Sequence, residues 1–572
     1  MGILTDRSRP LLWAGLLLPA LAQSEQETPE DACRYASLQP EHVDFDQPRE
    51  QLQYRPDLLI PPDARIREIR IHRQPIFNTD DPDQDNWLYR GINAINIQTR
   101  EAALASQLVF GEGERYSALR LDESERALRD RPYLTGAWVR PYRVCGDEVD
   151  VAVVTRDTWT FFPSVGLSRS GGETSTRLSL TDENFLGSGK EVSVSRSSDA
   201  DRTETSFDYH DPNLFGSRWQ ADLGYAERSD GRGRRLGLER PFYRKGAQWS
   251  FALDAERDER EESRFFGGDG VSDFRRELTQ YGFHYGHSLG DTSRADRRLL
   301  VGYRYREDVF REVADEPAPE PFPEDRTRSY PWLEFQWQEQ SFHETVNLTQ
   351  IQRVEDVRDG IDFRSRIGYS SPGLGGSDDR LVLEHHFSDG LVSSDTTFAD
   401  YRLTQEGDYL FNQGQFENLR TSLRSRIFRG GLERWNSWYA MLELTAAHNL
   451  TADQQLFLGG DTGVRGFPRN YQTGNRRFVF TAERRYFPDW HPFSLFRLGG
   501  VVFMDAGRAW FTSDDPNGPD SDVLTNVGVG LRAASSRFEV NRMLHLDFAV
   551  PVDSADDDID RFQVLLRGRA SF

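Results

Sequence analysis

Apolar and polar side chains alternate along the C-terminal part of the chain. In the last segment, residues 562–572, one face is apolar and the other is polar or charged. Residues 544–550 and 523–532 repeat the alternation, and Gly, Asp, Asn and Pro separate such segments throughout this region. A period of two is typical of β-strands. The recurrence predicts an antiparallel transmembrane β-barrel over 158–572, with apolar side chains towards lipid and charges towards the lumen.

Composition fits a barrel better than a helical membrane protein. Only 37% of the residues are hydrophobic and 28% are charged. A strand that crosses a membrane needs an apolar residue only at every second position, so a barrel tolerates this polarity. The net charge of −23 argues against a nucleic-acid partner, because contacts to phosphate require basic patches.

The N-terminus has the pattern of a secretory signal. Arg7 and Arg9 precede a short apolar run, residues 11–18, and a small-x-small triplet ends at Ala22. We therefore predict a signal peptide over 1–22 and a mature chain that begins at Gln23. A buried N-terminal helix is the alternative. Export implies an oxidising compartment.

A leader and a small domain precede the predicted barrel. Residues 23–63 are acidic and contain several prolines, so we expect a flexible leader. Residues 64–157 show helical and strand-like periodicity in turn. The predicted elements are a strand from Ile66, helices over Glu101–Phe110 and Ser117–Asp130, and strands over Gly136–Val144 and Glu148–Arg156.

This order of elements resembles a POTRA domain, the periplasmic module of outer-membrane assembly proteins. Residues 128–134 (Leu-Arg-Asp-Arg-Pro-Tyr-Leu) and 156–159 (Arg-Asp-Thr-Trp) are also similar to that family. Other small α+β domains share the pattern. The resemblance implies that residues 64–157 lie in the periplasm.

The chain has two cysteines, Cys33 and Cys145, and both precede the barrel. In an oxidising compartment they are candidates for a disulfide that would tie the leader to the domain. Two unpaired thiols are the alternative. Two distant cysteines supply too few ligands for a zinc cluster.

One predicted loop of the barrel differs in composition from the other long loops, which are acidic. Residues 456–468 read Leu-Phe-Leu-Gly-Gly-Asp-Thr-Gly-Val-Arg-Gly-Phe-Pro, and a Phe-x-Asp-x-Gly motif follows at 503–507. Here the chain resembles the BamA/TamA superfamily of outer-membrane assembly and secretion barrels, whose sixth outer loop carries a Val-Arg-Gly-Phe/Tyr motif and folds into the lumen. The residues that carry the resemblance are Val464, Arg465, Gly466, Phe467, Glu483, Asp505 and Gly507.

The alternation independently supports a contact between this loop and the barrel wall. Counting by two places Glu483 and Asp505 on polar faces, towards the lumen. Arg465 lies between Gly463 and Gly466, which permit tight turns, and could bind both carboxylates by charge-assisted hydrogen bonds. The alternative is a solvated loop arginine that meets neither carboxylate.

The resemblance implies a barrel of sixteen strands, although the alternation by itself marks about twenty segments. It also implies an assembly or secretion role without cofactor or catalysis. The chain departs from the main members in one respect: only one POTRA-like domain fits, whereas they have several. That departure puts in doubt any equivalence with the essential assembly factor.

The barrel seam is a second candidate site. The predicted first strand, Phe161 to Arg169, contains Pro163 and Gly166, which weaken pairing. An opened edge there would template a client strand. Edge-like composition that merely marks the start of a barrel is the alternative. The candidate seam residues are Val165, Leu167, Leu566, Gly568 and Phe572.

Two functions remain in competition. The first is an insertion or assembly barrel for client β-barrel proteins, and the second is a secretion pore for a partner polypeptide. The expected partners are outer-membrane lipid, these polypeptides and accessory proteins of the periplasm or inner membrane. No Ser-His-Asp grouping stands out, and the pair His385-His386 is typical of a solvated stretch rather than an enzyme site.

Overall fold

The computed structural model describes residues 33–46, 57–170, 173–291, 295–339, 341–394, 396–430, 435–512, 522–538, 543–552 and 561–569. The predicted signal peptide, 1–22, lies outside these ranges. Within them, none of the helices combines the length and the apolar character needed to cross a membrane.

The N-terminal domain is a four-stranded sheet covered by helices. In space the strands follow the order β1-β3-β4-β2, and β2 runs parallel to β4 whereas the other neighbours are antiparallel. The elements are, in chain order, β1 (Cys33–Tyr35), β2 (Arg65–Gln74), α1 (Trp87–Ile95), α2 (Glu101–Ala105), α3 (Ala118–Arg129), β3 (Leu134–Cys145) and β4 (Glu148–Asp157).

The core of this domain lies between the sheet and α3. Val149, Val151 and Val153 of β4 alternate on the face that packs against Leu121 and Leu128 of α3, and all five side chains are buried. β-branched residues favour strands, and the spacing of the two leucines puts them on one helical face. The predicted α+β domain is present.

Two predicted boundaries in this region are wrong. Residues 33–46 are not a flexible leader, because β1 pairs with β3 and Val43 and Phe45 pack against Trp138. The helix predicted over Glu101–Phe110 ends at Ala105, and the chain then turns, with Gln107 N donating to Leu104 O at 3.0 Å, so that Leu108 is buried in the core. The sequence pattern did not indicate α1 at all.

The strands after this domain are, in chain order, β5 (Phe161–Ser170), β6 (Glu173–Asp182), β7 (Glu191–Ser198), β8 (Thr203–Asp211), β9 (Gln220–Arg228), β10 (Gly231–Arg240), β11 (Trp249–Phe266), β12 (Asp269–Asp291), β13 (Ala295–Glu312), β14 (Arg326–Glu339), β15 (Phe342–Val346), β16 (Val354–Arg358), β17 (Asp362–Ser370), β18 (Arg380–Ser394), β19 (Thr397–Leu410), β20 (Gln415–Arg429), β21 (Asn436–His448), β22 (Leu456–Leu458), β23 (Gln472–Gly474), β24 (Arg476–Tyr486), β25 (Phe496–Trp510), β26 (Leu524–Ser535), β27 (Met543–Pro551) and β28 (Gln563–Arg569).

Twenty of these strands form a closed antiparallel barrel, and the other four form two hairpins, β15–β16 and β22–β23. The prediction of an antiparallel barrel is confirmed, but sixteen strands is wrong for the described chain. The alternation itself marked about twenty segments, and the count taken from the resemblance replaced that local evidence. Each of the twenty barrel strands has a neighbouring strand on both sides in the ring.

Exposure of the side chains follows the predicted faces. Val502, Val529 and Leu531 are 54–60% exposed on the outer surface, whereas Asp505 and Arg532 are buried on the inside. A soluble protein would reverse this arrangement, since apolar side chains would face its core. The outer surface is therefore suited to lipid.

The barrel wall is much taller on one side than on the other. β12 has 23 residues and β28 has 7, whereas about 9–11 residues cross a bilayer. The acidic stretch 256–277 lies in β11, β12 and the turn between them. Charges of opposite sign pair across these strands, as in the contact of 2.8 Å between Arg275 and Glu261, and such pairs stabilise a sheet.

The N-terminal domain docks on the end of the barrel where β5 begins, which we call the proximal end; the opposite end is the distal end. Arg218 Nη2 donates to Leu108 O at 2.6 Å, and Asn184 Nδ2 donates to Thr99 Oγ1 at 2.8 Å. Thr99 also donates from its backbone and hydroxyl to Asp157. Burial at this junction raises the pKa of Asp157 to about 6, against the effect of those hydrogen bonds.

Cys33 and Cys145 are opposite each other in the β1–β3 ladder and form a disulfide with a Cα–Cα distance of 4.3 Å. We expect no alkylation of either cysteine in unfolded protein until a reductant is added. Replacing both cysteines with serine should lower the free energy of unfolding of the domain by about 2–4 kcal/mol, because the bridge closes a long loop. Intact mass after alkylation, with and without reduction, checks the pairing, and free thiols in protein isolated without reductant would contradict it.

Candidate functional site

The loop between β21 and β24 enters the barrel and packs against the inner wall. Its strands β22 and β23 form a short antiparallel hairpin. Leu458, Val464 and Phe467 are at most 1% exposed and pack against Val479, Ala509 and Leu524 of the wall. These apolar contacts favour the inward position of the loop, since apolar area leaves water when they form.

Arg465, at the turn of this loop, binds three carboxylates. Its Nε and Nη2 donate to the two oxygens of Asp505, each at 2.8 Å, in a bidentate contact. Nη1 donates to Glu483 at 3.1 Å and to Asp547 at 3.2 Å. The guanidinium also lies 3.5 Å from the ring centroid of Phe503, where a cation–π contact adds to the ion pairs.

Two further arginines balance the charge. Arg485 Nε donates to Glu483 at 2.8 Å, and Arg532 Nη1 donates to Asp547 at 2.6 Å. With Arg465 and Asp505 they form a buried cluster of three arginines and three carboxylates, which we call the lumen cluster. Removing one member would leave an uncompensated buried charge, which typically costs about 3–5 kcal/mol.

Neutral side chains complete the hydrogen bonds of Asp505. Thr481 Oγ1 donates to Asp505 Oδ1 at 3.0 Å, and Asn526 Nδ2 donates to Asp505 Oδ2 at 3.0 Å. Asn526 Oδ1 also accepts from Gly466 N at 3.1 Å. Asn526 therefore ties the loop backbone to the carboxylate that holds its arginine.

The two glycines of the motifs are required by close approach. A Cβ on Gly466 would lie 2.7 Å from Asn526 Cβ, and one on Gly507 would lie 2.9 Å from Val464 Cγ2. Both distances are shorter than ordinary van der Waals contact. Any larger residue at either position would push the loop away from the wall.

A second insertion reaches the same cluster from the proximal end. The connection between β14 and β17 carries the hairpin β15–β16, and we call residues 342–358 the proximal hairpin. At its tip Leu348 O accepts from Arg485 Nη1 at 2.6 Å. Ile351 is buried in a cluster with Phe487, Val501 and Phe503 of the inner wall. The tip thus contacts both an arginine of the lumen cluster and the ring that supports Arg465.

The base of the proximal hairpin is bound to the N-terminal domain. Arg129, at the end of α3, donates to both oxygens of Asp356 at 2.9 and 2.7 Å and to Glu344 at 2.7 Å. Arg353 Nη2 donates to Arg129 O at 2.9 Å. The domain, the hairpin and the lumen cluster are therefore connected by direct contacts.

The structure brings the predicted loop and wall residues together. Arg465, Glu483 and Asp505 meet as the alternation indicated, but Asp547, Arg485 and Arg532 were not assigned to the site. The period of two placed all three on lumen faces. Their meeting depends on strand register, for example Asp505 opposite Asn526 and Asp547 opposite Gly530, and one sequence does not give this register.

The predicted seam residues are only partly described. β28 and β5 are neighbours, and among the described residues one pair, Leu566 and Arg169, is in register between them. Val165, Leu167 and Gly568 are described in their backbone but not in their side chains, and Phe572 lies outside the described residues. β27 and β28, by comparison, share seven pairs.

Comparison with known proteins identifies the family. The sequence pattern of the Omp85 superfamily domain matches residues 184–566, more than half of the chain. The chain belongs to the Omp85 superfamily. The predicted resemblance to the BamA/TamA superfamily is thereby confirmed. Omp85 members are outer-membrane barrels that insert or secrete polypeptides.

Solved Omp85-type structures resemble the chain only distantly. BamA from Haemophilus ducreyi lacking POTRA domains 1-3 has 14% identity and a TM-score of 0.39, covering 88% of this chain and 84% of its own. CdiB from Acinetobacter baumannii has 12% identity and a TM-score of 0.41, with coverages of 88% and 74%. CdiB from Escherichia coli has 13% identity and a TM-score of 0.43, with coverages of 89% and 76%. No curated protein matches the sequence.

Replacing Arg465 with alanine should release the loop between β21 and β24 into the solvent at the distal end, since Asp505, Glu483 and Asp547 lose the cation that they share. We expect faster chymotrypsin cleavage after Tyr471 in the folded barrel. The matched control is Arg469→Ala in the same loop. Arg469 pairs with Asp201, but both side chains are about one-third exposed, so that pair contributes little. Equal cleavage of the two variants would contradict the role of Arg465.

Proposed function

We propose that this Omp85 barrel assembles or inserts outer-membrane β-barrel clients at the seam between β5 and β28. The observation that carries the proposal is the short ladder at this junction, where a single described pair joins two strands that have seven or more pairs with their other neighbours. Among the described residues this is the least paired junction of the closed barrel, and such a junction should part most readily.

An opened seam would offer a strand edge to a client. The backbone N–H and C=O groups of a parted β5 would pair with an incoming strand by β-augmentation. Pro163 and Gly166 in β5 weaken a permanent ladder, which favours exchange. This step forms and breaks only hydrogen bonds, so the proposed activity needs no cofactor and no catalytic residue.

The contents of the lumen support the seam as the working part. The loop with Arg465 occupies the lumen from the distal side and the proximal hairpin occupies it from the other. A barrel that inserts clients at the seam gains rigidity from these two insertions. A channel for a polypeptide would have to displace them. We infer that the N-terminal domain is a POTRA-like module in the periplasm, where clients and accessory proteins would meet it.

Secretion of a partner polypeptide through the lumen is the second candidate. It is favoured by membership of a superfamily that also includes secretion barrels. It requires the lumen cluster to open in each transport cycle. The two candidates therefore differ in which contacts must break, namely those at the seam or those around Arg465.

The register of the seam allows a direct test. Cysteines at Leu566 and Arg169, which face each other, should form a crosslink that locks β5 to β28. If clients are assembled at the seam, oxidised cells should lose client barrels from the outer membrane and recover them after reduction. Cysteines at Leu566 and Val165 are the control, since an offset of four residues, about 13 Å, prevents a bridge.

Wild-type protein treated with the same reductant controls for reduction of the Cys33–Cys145 bridge. Normal client levels together with complete crosslinking at residues 169 and 566 would exclude strand exchange and leave the secretion pore.

A further inference from the structure

Helix α1 has an apolar face that the rest of the described chain does not cover. Trp87, Leu88 and Ile95 are 79%, 45% and 68% exposed. Gly91 and Ala94, which lie between them on the helix, are also exposed. Large exposed apolar patches mark interaction sites, and a helix that served only the domain core would turn these side chains inward.

The opposite face of α1 fixes the helix to the proximal end of the barrel. Tyr89 donates from its hydroxyl to Phe493 O and stacks on Phe77 with ring centroids 4.0 Å apart. Ile92 packs in a cluster that includes Trp159 and Leu495. The helix is therefore oriented by the barrel, and its uncovered face has a fixed direction.

The helix lies beside the seam. Tyr89 contacts the connection between β24 and β25, and Arg100, which follows the helix, donates from its backbone to Gly187 O at 2.8 Å in the connection between β6 and β7. In the ring the strands between these connections are β25, β26, β27, β28, β5 and β6. The segment from α1 to Arg100 thus spans the sector that contains the β5–β28 junction.

Three proximal connections present apolar side chains in the same way. Leu186, Phe215 and Phe493 have φ of 54°, 54° and 58° and are 50%, 95% and 77% exposed. The left-handed conformation is unfavourable for a residue with a side chain. Repeating it at three turns places a large, exposed apolar group just beyond the proximal ends of the strands. Trp490, in the same connection as Phe493, is 60% exposed.

We propose that the uncovered face of α1 lies in the lipid of the proximal leaflet, beside the seam. The bilayer is the partner because this face continues the exposed apolar surface of the neighbouring turns and of the outer wall, including Leu178 and Leu180 of β6. Tryptophan is typical of the membrane interface, and an apolar helix face sinks into the boundary between headgroups and acyl chains. The inference requires only a membrane-spanning barrel, so it stands whether the barrel inserts or secretes.

Contact with lipid would fix the N-terminal domain against the membrane at the junction where the described residues form their shortest ladder. Arg90 lies at the edge of the apolar face and pairs with Asp85, and the face itself, formed by Trp87, Leu88, Gly91, Ala94 and Ile95, has no charged side chain. We therefore expect insertion into zwitterionic bilayers without a requirement for anionic lipid.

Spin labels on single cysteines test the assignment in phosphatidylcholine proteoliposomes. The sites are Trp87→Cys, Ala94→Cys and Ile95→Cys, with Val502→Cys as the lipid-facing control and Arg115→Cys as the control in water. The native disulfide is kept. We expect collisions with O2 to exceed those with an aqueous nickel complex at 87, 94, 95 and 502, and the reverse at 115. Ala94 is small, so its variant tests the position even if loss of Trp87 or Ile95 disturbs the helix.

Two results would overturn the proposal. Labels at 87, 94 and 95 that are as accessible to nickel as the label at 115 would place this face in water. Labels that are immobile and shielded from both reagents would indicate a protein partner, either a second copy of the chain or another polypeptide. Neither result bears on the seam crosslink, so failure of this inference is distinguishable from failure of the proposed function.

Discussion

The ion pairs of Arg465 are the interaction on which the interior of the barrel depends. A guanidinium shared by Asp505, Glu483 and Asp547 allows these carboxylates to be buried, and the carboxylates in turn hold the loop. Burial makes the arrangement cooperative, because a charge that loses its partner away from water is strongly destabilising. The loop, four wall strands and the proximal hairpin therefore form one unit around the lumen cluster.

In the proposed mechanism this unit keeps one part of the barrel rigid while the seam opens. The tall wall around β12 and the struts in the lumen resist deformation, whereas β28 is short and shares one described pair with β5. The proximal hairpin connects the rigid part to the N-terminal domain through Arg129. The proposed activity at the seam follows from this asymmetry: the lumen holds the wall in shape while one junction exchanges partners.

Much of this organisation was predictable from local patterns. The alternation of apolar and polar residues predicted the barrel, its two faces and the inward direction of Glu483 and Asp505. These features could be predicted because a period of two is visible within each strand. It could not give register, so Asp547 and Arg532 were not linked to Arg465. The pairing at the seam also depends on register. The predicted strand number was wrong because the count implied by the resemblance was preferred to the number of alternating segments.

Two elements gave no usable sequence signal. Helix α1 keeps three large apolar residues, Trp87, Leu88 and Ile95, exposed, so its pattern differs from that of a helix packed on a core. The proximal hairpin consists of two five-residue strands, too short to stand out among longer barrel strands. Its position is decided by contacts distant in sequence, such as that between Arg485 and Leu348.

The most direct measurement is a double-mutant cycle on the lumen cluster. Arg465→Ala, the pair Glu483→Gln with Asp505→Asn, and the triple variant would be compared by amide exchange of residues 456–474 in the folded barrel. If the arginine and the carboxylates hold the loop together, their losses in opening free energy will overlap, with a coupling of about 0.5–3 kcal/mol. Losses that add fully would contradict the account, because residues that act independently cannot form the cluster on which it rests.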